Sequence, residues 1–128
     1  MLLVRLAVLG AAIGLGVLLF AVWRRTPGIA RVEPAALGFT GPAIVQFGTP
    51  ECVPCKQARP FLTRAAAESG VAFVDVDVAA RPEIASRYRI RSVPVILVAA
   101  SDGAVLGRFT GLPPEHEVRR LAALARAA

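Results

Sequence analysis

Residues 46–56 read QFGTPECVPCK and contain the strongest structural signal in the chain. Its two cysteines, Cys52 and Cys55, follow a short apolar run at 43–47 that contains β-branched residues. Such a run predicts a buried strand, and residues 52–69, which stop before a glycine, predict a helix. The cysteines therefore lie where a strand passes into the first turn of a helix.

The position of the cysteines gives them a specific chemical character. Free amide groups and the helix dipole at the start of a helix stabilise a thiolate on the first-turn sulfur of Cys52. The spacing of three positions places the Cys55 sulfur on the same turn, close enough to bridge. Pro54 fits a first turn, because its missing N–H would have no partner there. A stabilised thiolate beside a second thiol is suited to thiol–disulfide exchange.

The number of cysteines limits the other possibilities. A disulfide-stapled secreted domain needs more than two cysteines, and a structural zinc site needs four ligands. The chain has two cysteines and a single histidine, His116. No metal site is therefore predicted. Cys52 and Cys55 are either a redox pair or inert packing residues, and a C-x-x-C between a strand and a helix favours the redox pair.

The rest of the chain continues the alternation of strands and helices. Predicted strands cover 43–47, 71–78, 95–99 and 104–109, and predicted helices cover 52–69, 82–88 and 113–127. A hairpin turn is predicted at 101–103. This β-α-β-α-β-β-α order indicates an α/β fold with a mixed sheet of about four strands and helices on both faces. Strands separated by helices are expected to pair in parallel, and the hairpin adds an antiparallel edge strand.

The N-terminal segment has a different composition. Residues 2–22 are apolar apart from Arg5, and a helix needs about 20 such residues to span a bilayer. Trp23-Arg24-Arg25 resembles the flank of a stop-transfer helix and lacks the small residues of a cleavage site. We predict a retained single-pass anchor that contacts the membrane through residues 2–22. A cleaved signal peptide is the alternative, and the side of the cell membrane that holds the domain is left open.

The predicted divisions are an anchor at 1–25, a linker at 26–41 and a domain at 42–128.

The charge pattern excludes nucleic acid as a partner. The net charge is +6, with 15 basic and 9 acidic residues. Arg5, Arg24 and Arg25 belong to the anchor and its flank, and the other arginines are scattered along the chain. A nucleic-acid-binding surface concentrates its basic residues on one face or in a run.

Four features in combination resemble the thioredoxin family. They are the stretch 46–56, Pro60 inside the following helix, the segment 88–94 that ends in a proline, and Gly111 after the last strand. The resemblance covers the chain from about residue 43 to the C-terminus. It implies a thioredoxin fold with Cys52 as the nucleophile and Cys55 as the resolving cysteine.

The resemblance also implies where a substrate binds. The Val93–Pro94 peptide bond is expected to be cis, as in the family, and the backbone before Pro94 is expected to contact the substrate. Val53 and Pro54, between the cysteines, complete the expected substrate-binding surface.

The sequence departs from the family near the cysteines. Glu51 stands where the family has a tryptophan, and Gln46 stands where it has a buried aspartate. Glu51 opposes a thiolate on Cys52 by like-charge repulsion, whereas Lys56 on the first turn favours it. Most of the family's N-terminal strand and helix are also missing. These changes favour an anchored relative with its own partner over a general thioredoxin.

The expected function is that of a membrane-anchored thiol–disulfide oxidoreductase, of the protein disulfide reductase type. The expected partners are a protein disulfide or dithiol substrate and a thiol electron donor or acceptor. No bound cofactor is expected, because the Cys52–Cys55 pair itself carries the electrons. Two other functions remain open: a metallochaperone that holds Cu(I) with the dithiol, and a non-catalytic interaction module.

Overall fold

The computed structural model describes residues 1–24 and 28–128. Its helices are α1 (Leu2–Arg24), α2 (Pro34–Leu37), α3 (Val53–Ser69), α4 (Pro82–Arg87) and α5 (Glu115–Ala127). Its strands are β1 (Ala43–Gly48), β2 (Ala72–Asp77), β3 (Val95–Ala99) and β4 (Val105–Thr110). Every strand and helix predicted after residue 42 is present, with ends that differ by at most two residues.

The four strands form one mixed sheet in the order β2-β1-β3-β4. β1 and β2 are parallel, whereas β3 is antiparallel to both β1 and β4. The mixed sheet is as predicted, but the parallel pairing expected for β3 is wrong. α4 has six residues and rises about 9 Å, less than half the length of a six-residue strand. The chain therefore does not return to the far end of β2 before β3 begins.

α3 and α5 cover one face of the sheet. Ile44 of β1 and Ile96 of β3 form a fully buried cluster with Leu62 of α3 and Val118 of α5. The buried residues of α5 stand at positions 118, 121, 122 and 125, a spacing that places them on one side of the helix. This packing holds α3 and α5 against β1 and β3.

The opposite face is covered by α2, α4 and the chain before β1. Phe47 and Leu97 of the sheet form a buried cluster with three residues outside it. These are Leu37 of α2, Phe39 in the loop after α2, and Ile84 of α4. Helices therefore lie on both faces of the sheet, as predicted.

Residues 30–39 pack into the domain and extend its sheet. Val32 N–H donates to the Gly103 carbonyl at 2.8 Å, and Val105 N–H donates to the Ala30 carbonyl at 3.0 Å. A Cβ at Gly103 would lie 2.1 Å from the Val32 carbonyl oxygen, so the hairpin turn admits only glycine at this position. The segment thus pairs with the start of β4 and then crosses the sheet toward β1.

This packing concerns the segment 26–41, which the sequence predicts as a linker. Val32, Leu37 and Phe39 of this segment are buried in the domain core. Residues 26 and 27 at its start lie outside the described residues, as does Arg25 at the end of the predicted anchor.

α1 is an apolar helix of 23 residues, none of them buried. Its mean hydropathy of 2.4 over the best window and its length are sufficient to cross a membrane. A secretory signal sequence meets the same criteria. The helix therefore fits the predicted anchor by length and composition.

Candidate active site

The two cysteines form a disulfide at the N-terminus of α3. Their sulfurs are 2.17 Å apart and their Cα atoms 5.3 Å apart. Cys52 is the N-cap of the helix, and its Sγ accepts a hydrogen bond from the Cys55 N–H at 3.2 Å. Because this N–H and the helix dipole point at Cys52, the same arrangement stabilises a thiolate on Cys52 after reduction.

The two cysteines differ in their access to solvent. Cys52 is 8% exposed and Cys55 is 1% exposed. An external sulfur atom therefore reaches Cys52, whereas Cys55 lies behind it in the core.

Gly48, at the end of β1, lies directly against the disulfide. A Cβ added at Gly48 would be 2.7 Å from Cys55 Sγ, a separation that real Cβ atoms essentially never show. The Gly48 carbonyl also accepts a hydrogen bond from Val78 N–H at 3.0 Å, which holds this end of β1 beside the end of β2. Only glycine allows the strand to approach the cysteines this closely.

The Gln46 side chain of β1 is hydrogen-bonded to α3, the helix that carries the disulfide. Its side chain is fully buried, and Nε2 donates a hydrogen bond to the Cys55 carbonyl at 3.2 Å. Exchanging the amide nitrogen and oxygen would set two acceptors against each other, so the orientation is fixed by this bond. Oε1 is then a buried acceptor without a partner among the described residues. A neutral amide thus occupies the position under Cys55 and cannot take up a proton at neutral pH.

The Val93–Pro94 bond is cis, as predicted. Phe47 pairs with Val95 across the antiparallel β1–β3 ladder, so Pro94 lies opposite Gly48 and beside the cysteines. Pro94 is fully buried, and its carbonyl accepts a hydrogen bond from Gly111 N–H at 3.0 Å. The antiparallel direction of β3 is what brings this end of the strand to the disulfide.

Val93 has unused backbone groups next to this proline. Its side chain is half-buried, and neither its N–H nor its C=O forms a hydrogen bond with the described part of the chain. Such free groups can pair with an extended peptide laid beside them.

Exposed apolar residues lie between the two cysteines and after the Gly111 turn. Val53 is 59% exposed and Pro54 is exposed beside it. Leu112 is 53% exposed and directly follows Gly111, which binds the Pro94 carbonyl. Val53 and Pro54 therefore present exposed apolar surface between the cysteines, and Leu112 presents it next to the Gly111–Pro94 hydrogen bond.

Glu51 and Lys56 are exposed charged residues on either side of Cys52. Glu51 directly precedes the cysteine, and Lys56 N–H donates to the Cys52 carbonyl at 3.3 Å. Both side chains are exposed, and neither forms an ion pair with a described residue. Their effect on a Cys52 thiolate therefore acts through solvent and is weakened by salt.

Gly48 beside the disulfide and Leu112 beside the Gly111 turn were not predicted from the sequence. Gly48 carries a signal, since a glycine between a buried strand and a cysteine motif indicates a close approach. Leu112 carries a weaker one, as an apolar residue in the turn after the last strand.

A helix-capping disulfide with one accessible cysteine, opposite a cis-proline on a neighbouring strand, defines a site for thiol–disulfide exchange. A protein-family model described as Thioredoxin matches residues 37–123, more than half of the chain. The chain belongs to the thioredoxin family.

Known proteins agree with this assignment. Thioredoxin from Mycolicibacterium smegmatis is 39% identical over 79 residues, covering 59% of this chain and 70% of that protein. The X-ray structure of Fasciola hepatica thioredoxin matches with a TM-score of 0.57 at 28% identity, over 67% of this chain and 83% of that one. A mutant thioredoxin from Halobacterium salinarum shares the fold with a TM-score of 0.61 at 24% identity, over 68% of this chain and 76% of that one.

Family membership together with the Cys52–Cys55 disulfide makes this chain a thiol–disulfide oxidoreductase. Its substrates are proteins with disulfides or dithiols, and its redox partners are thiols.

Proposed function

We propose that this protein is a membrane-anchored protein disulfide reductase in which Cys52 is the nucleophile and Cys55 the resolving cysteine. The single observation that carries the proposal is the asymmetry of the disulfide. Cys52 caps α3 and reaches the surface, whereas Cys55 is buried behind it.

The reaction proceeds in two exchanges. The Cys52 thiolate attacks one sulfur of a partner disulfide, a mixed disulfide forms, and the other partner sulfur leaves as a thiolate. Cys55 then loses its proton and attacks Cys52 Sγ, which breaks the mixed disulfide and releases the second partner sulfur. The partner gains two electrons and two protons, and the protein ends with the Cys52–Cys55 bond. A thiol donor reverses these steps on the protein, and no bound cofactor is needed.

The substrate is an extended peptide segment around a disulfide. Support comes from the free N–H and C=O of Val93, which can form a short strand-like pairing with such a segment. Val53, Pro54 and Leu112 provide the apolar contacts on either side. Pro94 keeps this edge next to Cys52.

The proposed direction is reduction of the partner. Glu51, exposed beside Cys52, disfavours a second negative charge there, and Lys56 offsets this in part. Strong oxidants of this family have a first cysteine whose thiolate is far more stabilised, with a potential near about −120 mV against about −270 mV for thioredoxin. We expect a Cys52 pKa and a potential on the thioredoxin side of that range.

Insulin reduction tests the function and separates it from its rivals. We expect the wild-type chain with dithiothreitol as donor to precipitate insulin, Cys52→Ser to be inactive, and Cys55→Ser to trap a mixed disulfide with the substrate. A metallochaperone would instead bind one Cu(I) per dithiol in competition with a chelator and leave insulin intact. A non-catalytic module would do neither. Either of these two results would overturn the reductase proposal.

A further inference from the structure

A polar cavity lies on the α4 side of the sheet, away from the disulfide. Its volume is about 680 Å³, and it is bounded by the segment 28–34, the end of α4 and β4. Four arginines and two carboxylates line it, which leaves an excess of two positive charges. The charged lining residues are Arg31, Arg87, Arg89, Arg108, Glu33 and Asp102.

The carboxylates of the cavity are already paired. Arg87 forms an ion pair with Glu33 at 2.5 Å, and Arg31 forms one with Asp102 at 3.6 Å. The excess charge therefore belongs to the other two arginines.

Arg89 and Arg108 have no ion-pair partner among residues 1–24 and 28–128. Both side chains border the same cavity, on the loop after α4 and on β4. A guanidinium donates two parallel hydrogen bonds to a phosphate or carboxylate, so a pair of free arginines at one cavity suits an oxyanion.

Tyr88 adds a buried donor to this cavity. The residue is 7% exposed, and its phenolic oxygen accepts a hydrogen bond from Glu33 N–H at 3.0 Å. Its own O–H proton has no acceptor in the described part of the chain. The cavity therefore offers an unused neutral donor beside two unpaired cations, which is the chemistry that binds a phosphate group.

The position of the cavity along the chain indicates where the phosphate comes from. Its lining begins at Gly28, four positions after Arg24, the last residue of α1. Four residues extend at most about 14 Å, so a membrane-spanning α1 keeps Gly28, at the edge of the cavity, within that distance of the end of α1. Surface arginines near anionic lipid are attracted to it.

We propose that this cavity binds the phosphate of an anionic phospholipid in the membrane that holds α1. Arg89, Arg108 and the Tyr88 hydroxyl are the ligands, and the domain docks on the membrane with its α4 side toward the lipid. The proposal rests on α1 spanning the membrane and is independent of the disulfide chemistry, since none of the lining residues belongs to the Cys52 site.

Hydrogen exchange of the full chain in nanodiscs tests the docking. The discs contain phosphatidylcholine with an increasing fraction of phosphatidylglycerol, and the amides of 28–34 and 87–91 are followed by mass spectrometry. We expect saturable protection of both segments in the wild type. The double variant Arg89→Gln/Arg108→Gln should bind about thirtyfold more weakly and show no protection over the same range. The matched variant Arg64→Gln/Arg126→Gln removes the same charge from α3 and α5 and should behave as the wild type.

Four results would overturn the proposal. They are a failure of the chain to insert into discs, no phosphatidylglycerol dependence in the wild type, equal loss of protection in both double variants, or full protection by sodium phosphate in discs of phosphatidylcholine alone. The last would assign the cavity to free phosphate. Insulin reduction by both double variants reports their folding, and it distinguishes failure of the docking from failure of the reductase function.

Discussion

Gly48 sets the distance between the end of β1 and the disulfide. A Cβ at this position would lie 2.7 Å from Cys55 Sγ, so Gly48→Ala must displace the strand or the sulfur. We expect the variant to lower the free energy of unfolding of the oxidised protein by about 1–3 kcal/mol, the usual effect of overpacking. The reduced protein should lose less, because Cys55 Sγ can then move, and the reduction potential should become less negative.

Urea unfolding of both redox forms and equilibration with glutathione measure these changes. Gly28→Ala is the control, since the nearest atom to its added Cβ would be 3.9 Å away. An equal loss of stability in the oxidised and reduced forms would contradict the assigned role of Gly48.

Gln46 holds a neutral amide where a charge would be strongly disfavoured. The isosteric change Gln46→Glu places a fully buried carboxyl beside the Cys55 carbonyl, where only the protonated form can donate a hydrogen bond. Burial and this hydrogen bond both raise the carboxyl pKa in the folded state. The folded variant then holds a proton that the unfolded chain releases at the same pH. Its free energy of unfolding is therefore retained at low pH and falls as the pH rises above about 4.3, the pKa of the carboxyl in the unfolded chain.

Urea unfolding between mildly acidic and neutral pH measures this effect. We expect Gln46→Glu to lose roughly 2–3 kcal/mol relative to wild type over that range, corresponding to about two units of pKa shift. Gln57→Glu, on the exposed side of α3, is the matched control and should follow the wild-type profile. If the difference in free energy of unfolding between Gln46→Glu and wild type did not change with pH, the carboxyl would be hydrated and the prediction would be wrong.

At the scale of elements, the short helix α2 and its neighbours close the sheet face that α4 covers only in part. Leu37 of α2 is 3% exposed and belongs to the core cluster with Phe47 and Leu97. We expect Leu37→Ala to lower the free energy of unfolding by about 2–4 kcal/mol, because it removes a buried side chain and leaves a cavity. Leu124→Ala, in α5 at 50% exposure, offers the same chemical change on the surface and should cost well under about 1 kcal/mol.

Chemical denaturation of the two variants compares them directly. Similar small losses would indicate that the segment 30–39 acts as a linker, as the sequence pattern predicts for 26–41. A large loss confined to Leu37→Ala would make it part of the folding unit.

At the scale of the whole molecule, the proposed anchor α1 would hold the oxidoreductase at a membrane. We expect the full chain to remain in the membrane fraction after high-salt and alkaline washes, because the helix buries its apolar side chains in lipid. A variant that lacks residues 2–24 should be recovered in the soluble fraction and should still reduce insulin. A mature protein that begins after Trp23 and washes off in salt would identify α1 as a signal sequence.

The local patterns of the sequence determined the strands, the helices and the redox motif. A buried run before a C-x-x-C, a proline on the first turn and a glycine after Ser69 act over a few neighbouring residues, so they can be read without the fold. The cis bond at Pro94 was predicted from the family resemblance and is present. The order β-α-β-α-β-β-α after residue 42 was predicted from the same local patterns.

Which residues meet at the disulfide depends on how distant parts of the chain pack together. The direction of β3 depends on how far the chain travels after β2, and that distance brings Pro94 opposite Gly48. Contacts between distant residues, such as Gln46 with the Cys55 carbonyl and Val32 with Gly103, leave no periodic trace in the sequence. The packing of 30–39 and the basic cavity beside it follow from such contacts, because apolar residues spaced irregularly become a core only when the sheet they cover is in place.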